Sequence, residues 1–346
     1  MTDARALHDD AVVVDCHNDL ILLVDRKRTV GEPDHFARYW LPELRAGGVN
    51  VQVVPIYIDD EYRPDGALRR TLILIEQVHR IVQQHASEVA LCLTGSDIDE
   101  AVASGRIAFV LALEGMEALG TDVSLVETFH RLGVRMMSFT HFGRTAMADG
   151  SAEDDAGSRL TRAGVEAVGE MERLGIVLDL SHLGIGGVAH ALEIATRPLI
   201  ASHSGARALC DHHRNLSDEV IKAIAVTGGA VGINAFPWFV DRKAPTLDRF
   251  VDHIEHVRDL AGIDHVGIGP DFIREYYQEF FGNYPDMETE GLRINEAIAG
   301  LGYSRDLPNL TVRMVERGFT DGDVRKVLGA NFLRVFHQVM GLPKAD

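Results

Sequence analysis

Short apolar runs alternate with helical segments along almost the whole chain, and this alternation restricts the possible fold more than any other feature. Between the runs, the sequence predicts helices over 66–86, 97–105, 123–132, 161–175, 186–195, 217–227 and 246–261. Strands separated by helices pair in parallel, and eight of them can close into a barrel. We therefore predict an α/β fold with a (β/α)8 TIM-like barrel. The predicted strands are a run beginning at Val12 and the runs 49–57, 107–113, 134–140, 176–180, 198–201, 229–235 and 266–269.

A doubly wound open sheet is the main alternative to the barrel. Such a sheet is expected to carry a glycine-rich phosphate-binding turn after an early strand, and this sequence has none. After the eighth strand, an aromatic-rich connection leads to helices predicted over 288–300 and 321–340. No internal repeat or interdomain linker is visible, so we predict one domain over residues 1–346.

Charge and cysteine content exclude several classes of protein. The formal net charge is −18, from 52 acidic and 34 basic residues, which argues against a nucleic-acid partner. The three cysteines, Cys16, Cys92 and Cys210, are far apart and form no Cys-x-x-Cys pair, so we expect neither disulfides nor a thiolate zinc site. The N-terminus has no apolar core of signal-peptide length, and no run approaches the ~18 apolar residues of a membrane span. A cytoplasmic protein with no membrane association is therefore expected.

Residues that commonly bind metal ions follow most of the predicted strands. In a barrel of this kind the active site lies at the carboxyl ends of the strands, so these side chains are expected to share one pocket. Strand alternation, with a period of two, should also turn the first two of them to the same side. The set comprises His17 and Asp19 after the first strand, Glu114 after the third, His141 after the fourth, His182 after the fifth, His203 after the sixth and Asp271 after the eighth.

Each of these residues also has a structural interpretation when it is considered alone. His17 fits a capped strand end, Glu114 fits a turn cap, and Asp271 fits an Asx turn. His182 and His203 fit histidines that are hydrogen-bonded in the core. If all of these interpretations were correct, several unrelated structural roles would have placed metal-binding residue types at the ends of different strands by coincidence. Carboxylates and imidazoles buried in one mouth would also be unfavourable without a cation.

Imidazole and carboxylate ligands without a thiolate suit zinc, with manganese or cobalt as alternatives. Five ligands exceed what one catalytic zinc usually takes from protein, so we predict two ions, about 3.5–4 Å apart, that lower the pKa of a shared water. In this partition His17 and Asp19 hold one ion, His182 and His203 hold the other, and Glu114 bridges them.

Three further residues are candidates for handling the substrate. Asp271 is predicted to orient the attacking water and carry its proton, and His141 is predicted to stabilise the developing oxyanion. Arg214 follows the sixth strand on the same side of the barrel, and its planar guanidinium matches a substrate carboxylate. A surface ion pair is the structural alternative for Arg214.

Nine ordered segments resemble the renal (membrane) dipeptidase family of zinc metallopeptidases, in the amidohydrolase superfamily. No single segment is decisive, but together they span nearly the whole chain in the same order, which makes the resemblance specific. The matching segments are DCHNDL (15–20), LRAGGV (44–49), LEG (113–115), FTH (139–141), LDLSH (178–182), SHS (202–204), RNL (214–216), VGIGPDF (266–272) and LGANFLRVF (328–336).

The resemblance implies an amidohydrolase-type barrel with two zinc ions per subunit that hydrolyses dipeptides, including dipeptides with a D-residue at the carboxyl terminus. It implies the same metal ligands and the same bridging Glu114, a catalytic Asp271, and substrate contacts from His141 and Arg214. It also implies a homodimer. Phe236 stands where a substrate-binding tyrosine is expected, so its contact with the substrate should be one of packing.

Two other departures from the family pattern bear on substrate preference rather than on metal chemistry. They are the Phe-Ile-Arg sequence after Asp271 and the aromatic-rich stretch 275–284. Two rival functions stay open. One is an amidohydrolase acting on N-acyl amino acids or cyclic amides, and the other is a barrel that binds a ligand without turnover.

Overall fold

A computed structural model describes residues 3–272, 275, 288–289, 292–293 and 297–341 of the protein. Nine strands form one sheet in which every pairing is parallel. The strands are β1 Val13–Asp15, β2 Val49–Tyr57, β3 Val89–Leu91, β4 Ile107–Glu114, β5 Val134–Ser138, β6 Val177–Asp179, β7 Ile200–Ser204, β8 Ala230–Ile233 and β9 Val266–Ile268.

The sheet curves round so that its first and last strands meet. Eight strands follow the order β1-β2-β4-β5-β6-β7-β8-β9, and β3 pairs with the amino-terminal half of β4. The backbone N–H of Cys16 donates to the carbonyl of Ile268 over 3.2 Å, and the N–H of Asp271 donates to the carbonyl of His17 over 3.0 Å. These bonds join the two ends of the sheet, which an open doubly wound sheet would not do. The predicted TIM-like barrel is therefore confirmed.

Helices connect successive strands and lie close to the predicted positions. Thr161 caps α7 by accepting a hydrogen bond from Gly164 N–H, and Gly175 ends it with a φ of 71°, a conformation that glycine adopts without strain. The helices are α1 Ala4–Asp10, α2 Leu20–Thr29, α3 Leu41–Ala46, α4 Ala67–Gln84, α5 Gly95–Ala103, α6 Leu125–Arg131, α7 Arg162–Leu174, α8 Ile185–Ile194, α9 Asp218–Val226, α10 Pro237–Val240, α11 Leu247–Ala261, α12 Leu307–Glu316, α13 Asp321–Arg325 and α14 Asn331–Val339.

One prediction about the carboxyl-terminal part of the chain is wrong. The helix expected over 288–300 is contradicted, where the structure describes that range, by two short antiparallel strands, β10 Glu288–Thr289 and β11 Leu292–Arg293. The helix expected over 321–340 is present as α13 and α14, with a π-helical turn between them. α12 and β3 were not predicted. No helix in the described part of the chain is both long and apolar enough to cross a bilayer.

The amino-terminal end of the barrel is filled by apolar side chains. Alternate strand residues such as Val14, Val51 and Val110 form a buried cluster with Phe332 of α14. A Cβ atom at Gly267 would lie 2.5 Å from the Phe332 ring, so glycine leaves the ring its space. Because this end is packed with apolar groups, the polar strand-end residues can meet only at the opposite end.

Replacing Phe332 by alanine is expected to destabilise the fold by about 3–5 kcal/mol, because the ring is fully buried and its loss leaves a cavity. Chemical denaturation measures this loss. The matched control is Gln338→Ala on the exposed side of the same helix, which should change stability by less than about 0.5 kcal/mol. A loss below about 1 kcal/mol for Phe332→Ala would contradict the proposed packing.

Candidate metal centre

Seven predicted site residues lie at the carboxyl ends of six strands. Glu114 is the last residue of β4 and His203 lies near the end of β7, whereas the others lie in the loops two to four residues beyond the strand ends. Five of the seven are buried, and His141 and Asp271 are half-buried. The structure brings all seven together, in the order His17, Asp19, Glu114, His141, His182, His203 and Asp271 along the chain.

Glu114 lies at the centre of the group. Its Oε1 atom is 3.0 Å from Nε2 of His182 and 3.5 Å from Nε2 of both His17 and His203. The Nε2 atoms of His182 and His203 are 2.8 Å apart. Three imidazoles from three strands thus direct the same ring nitrogen at one carboxylate oxygen.

The other two carboxylates lie near the same ring nitrogen of His17. Its Nε2 atom is 3.9 Å from Oδ1 of Asp19 and also 3.9 Å from Oδ1 of Asp271. Strand alternation is not the reason that His17 and Asp19 converge, because β1 ends at Asp15. Asp19 instead precedes the first residue of α2, and the turn between strand and helix brings the two side chains together.

Two residues of the group have a backbone conformation that side chains other than glycine rarely adopt. His182 has a φ of 68° and Asp271 has a φ of 60°, and Asp34 is the one further non-glycine residue with positive φ in the described ranges. Such conformations persist only where the surroundings impose them, and they cluster at functional sites. At Asp271 the bond from its N–H to His17 helps to hold the backbone.

The group is short of positive charge. Burial raises the pKa of Asp19 and Glu114 well above the usual range, and it also raises the pKa of Asp271. Burial lowers the pKa of His17 to about 3 and holds the pKa of His182 well below its ordinary value. Without a cation, burial therefore favours the neutral forms of these acids and imidazoles, and a bound cation would favour the ionised carboxylates.

Several buried atoms of the group have no hydrogen-bond partner among the described residues. They are Nδ1 of His17, Oδ1 of Asp19 and Nδ1 of His182. Buried polar atoms are normally satisfied, and Oδ1 of Asp19 lies 3.9 Å from Nε2 of His17, so this orphan indicates that a group outside the chain completes the site. The two Nδ1 atoms are on the opposite side of their rings from the converging Nε2 atoms and do not bear on that ligand. The donor set contains imidazole nitrogens and carboxylate oxygens but no thiolate, and it can accommodate divalent zinc, manganese or cobalt.

Arg214 supplies a positive charge at the edge of this group. Its guanidinium is buried, donates to the carbonyl of His203 over 3.0 Å and lies 5.6 Å from the centre of the Phe239 ring. Burial lowers the pKa of Arg214 to about 10, while Asp271 and Glu114 oppose the decrease. The arginine therefore keeps its charge at neutral pH and is not the surface ion pair of the structural alternative.

His141 belongs to the group but lies at its edge, and Phe236 lies beside the group. The His141 ring is 4.2 Å from the ring of His182, and on its other side it packs against Tyr57 at 4.4 Å. Phe236 is half-buried and packs against Phe239 at 4.9 Å, next to the ring that faces Arg214. The part of the aromatic stretch 275–284 beyond Glu275, like residues 273–274, lies outside the described residues.

Sequence reasoning missed several residues that support the group. Tyr57 ends β2 beside Glu114 in register, so inspecting every strand end would have revealed it. Asn234 follows β8 and donates to Oδ2 of Asp271 over 3.0 Å. Asp179 and Ser202 are hydrogen-bonded to each other behind His203, and no local pattern indicates this contact.

Comparisons with known proteins agree with this architecture. The sequence matches the family described as membrane dipeptidase (peptidase family M19) over residues 1–345. It is 30% identical to dipeptidase verJ of Clonostachys rogersoniana over 283 residues, which are 82% of this chain and 67% of that protein.

Solved structures share the fold. The crystal structure of dipeptidase AC, a metallopeptidase, superposes with a TM-score of 0.83 at 25% identity, covering 96% of this chain and 99% of that one. A metallopeptidase from Rhodobacter sphaeroides, bound to a phosphinate mimic of the dipeptide L-Ala-D-Ala, has a TM-score of 0.81 at 24% identity, with 95% of this chain and 100% of that chain covered.

Proposed function

The chain belongs to the membrane dipeptidase family, and on that premise we propose how it acts as a metal-dependent dipeptidase. The observation that carries the proposal is the convergence of three Nε2 atoms, from His17, His182 and His203, on one oxygen of Glu114. Such an arrangement is suited to holding cations, because three nitrogens crowded at one buried carboxylate oxygen supply several electron pairs to the same small space.

Two zinc ions are proposed for this centre. His17 and Asp19 would hold one ion, His182 and His203 would hold the second, and Glu114 would bridge them. The spacing of the donor atoms, 2.8–3.9 Å, supports this partition. When bound, a pair of divalent ions lowers the pKa of a water and polarises a carbonyl group. The same donors suit manganese and cobalt, so zinc is the proposed metal on chemical preference.

The substrate is proposed to lie between Arg214 and Asp271. Arg214 would pair its guanidinium with the carboxylate of the substrate, because a buried planar fork matches a carboxylate in two hydrogen bonds. Asp271, oriented by Asn234, would accept a proton from the attacking water and pass it to the leaving amine. His141 would donate a hydrogen bond to the developing oxyanion, and Phe236 would pack against the substrate.

Restriction to dipeptides follows from this arrangement. The carboxylate of a dipeptide would meet Arg214, and its free amine would lie near the carboxylate of Asp271. A longer peptide would leave one of these charged groups unmatched, which lowers its affinity relative to a dipeptide. A D-residue at the carboxyl end is proposed as acceptable, and the L-Ala-D-Ala mimic bound to the Rhodobacter protein makes that pair a natural test substrate. The homodimer and the cytoplasmic location stay predictions.

The test compares a dipeptide with its C-terminal amide and with an N-acetyl amino acid, on zinc-loaded protein. Amidation is expected to lower kcat/KM by about 30-fold or more, because leaving a buried arginine unpaired loses at least about 2 kcal/mol. In Arg214→Met the dipeptide and its amide should then react at similar rates. If amidation leaves the rate of the wild-type enzyme unchanged, the dipeptide proposal fails, and faster turnover of the N-acetyl amino acid would favour the rival amidohydrolase.

Arg207→Met is the matched control for this test. Arg207 lies in the same loop and donates to the carbonyls of His212, His213 and Asn215, so its loss loosens the loop without removing the buried charge. The ratio of dipeptide to amide turnover should therefore stay at the wild-type value. If the ratio of dipeptide to amide turnover falls equally in both variants, the selectivity depends on the structure of the loop rather than on Arg214.

A further inference from the structure

The outer nitrogen of His203 is held differently from those of the neighbouring histidines. Its Nδ1 atom lies 2.7 Å from Oγ of Ser202, and this Oγ lies 2.5 Å from Oδ2 of Asp179. All three side chains are buried. By contrast, Nδ1 of His17 and Nδ1 of His182 have no partner among the described residues. A connected chain of two hydrogen bonds therefore leads away from the proposed metal centre through His203.

The direction of both bonds follows from counting hydrogens. Oδ1 of Asp179 accepts the backbone N–H groups of Ser181, over 2.9 Å, and of Ser202, over 2.8 Å. An aspartate surrounded by donors in this way is an acceptor, so the single hydroxyl hydrogen of Ser202 goes to Oδ2. Ser202 can then only accept from His203, which requires the hydrogen of the imidazole to be on Nδ1.

We propose that Asp179 and Ser202 are positioning residues that commit His203 to the Nδ1–H tautomer before any metal binds. This tautomer leaves a lone pair on Nε2, the atom that lies 2.8 Å from Nε2 of His182 and 3.5 Å from Oε1 of Glu114. The opposite tautomer would direct a hydrogen at the same place and exclude a cation from Nε2. The inference rests on the proposed metal centre. It adds that His203 is already in the tautomer that can bind a cation through Nε2.

The first test needs no variant. Isotope-edited nitrogen NMR of the metal-free protein, with labelled histidine, distinguishes a protonated from an unprotonated ring nitrogen. His203 is expected to show a protonated Nδ1 and an unprotonated Nε2 at neutral pH. A hydrogen on Nε2 overturns the proposal. This result would be expected if Asp179 were neutral and donated to Ser202, because Ser202 would then donate to Nδ1 of His203. Equal populations of the two tautomers overturn it as well.

The second test removes the relay. Ser202→Ala deletes the bond to Nδ1, and Asp179→Asn offers an amide N–H that reverses the direction of both bonds. Both variants are expected to bind zinc about 10- to 100-fold more weakly, measured by competition with a chromogenic chelator. Ser204→Ala is the matched control. It removes an equally buried hydroxyl next to His203 that has no hydrogen-bond partner among the described residues, so its zinc affinity should stay near the wild-type value.

The outcomes separate this inference from the proposed function. If wild-type protein binds no zinc, the metal centre itself fails, whatever tautomer the NMR reports. If wild-type protein binds zinc while Ser202→Ala and Asp179→Asn bind it equally well, only the positioning role fails. Should either variant not fold, as judged by circular dichroism, the tautomer measured in the wild-type protein still decides the proposal.

Discussion

Replacing Glu114 by glutamine is expected to lower kcat/KM by about 10³-fold and to reduce the bound metal from about two ions per chain to one or none. Glu114 is the only side chain whose oxygen lies within 3.5 Å of Nε2 in three site histidines among the described residues. The carboxamide keeps the shape of the side chain but loses the negative charge needed to bridge two cations. Elemental analysis after dialysis, together with steady-state kinetics, measures both effects.

Glu117→Gln is the control for this variant. Glu117 belongs to the turn that follows β4 and is as well buried as Glu114, but its Oε1 pairs with Nη2 of Arg63 over 3.1 Å. This exchange removes the same charge from the same segment without touching a site histidine. Metal content and turnover should therefore stay near wild-type values. Full metal content with full turnover in Glu114→Gln would contradict the bridging role.

The second large effect is expected for Asp271→Asn, which should lower kcat by about 10²- to 10⁴-fold while the protein keeps most of its metal. Asp271 is the proposed acceptor of the proton from the attacking water, and an amide cannot accept it. Its carboxylate lies 3.9 Å from Nε2 of His17, at the edge of the group rather than at its centre. Steady-state kinetics and metal analysis separate a lost proton acceptor from a lost ligand. A drop in metal content that matched the drop in rate would identify Asp271 as a ligand instead.

The pH dependence of kcat provides a milder test of the same role. The hydrogen bond from Asn234 stabilises the ionised form of Asp271 and so lowers its pKa, against the larger effect of burial. A proton acceptor must be ionised, so activity falls as the pH drops through this pKa. In Asn234→Ala the pKa rises, and the acid limb of the profile should move to higher pH. An acid limb that stays in place would assign it to another group.

The types of residue at the site could be predicted from sequence because they follow recognisable strands. His141, His182 and Asp271 each lie three residues beyond the end of a strand, and the parallel barrel places all such positions at one end. The expectation that strand alternation brings His17 and Asp19 together is nevertheless wrong, because strand periodicity does not extend past Asp15 into the turn.

The order of strands and helices, and the types of side chain at each strand end, could be predicted from local sequence patterns alone. Both are encoded locally, by the two-residue period of strands, by the spacing of apolar residues in helices, and by caps such as Thr161 and Gly175. The motifs that carry the family resemblance are also continuous in sequence, so the order of the residues is enough to recognise them.

Only the tertiary structure decided which atoms of these residues face one another. The approach of Nε2 of His182 to Oε1 of Glu114, the burial of Arg214, and the link from Asp179 through Ser202 to His203 all join segments that are distant in sequence. Local periodicity predicts which face of a helix or strand is buried, but it does not predict which residues of other elements pack against that face. Contacts between elements, and the loss of solvent that shifts each pKa, arise only when the barrel closes.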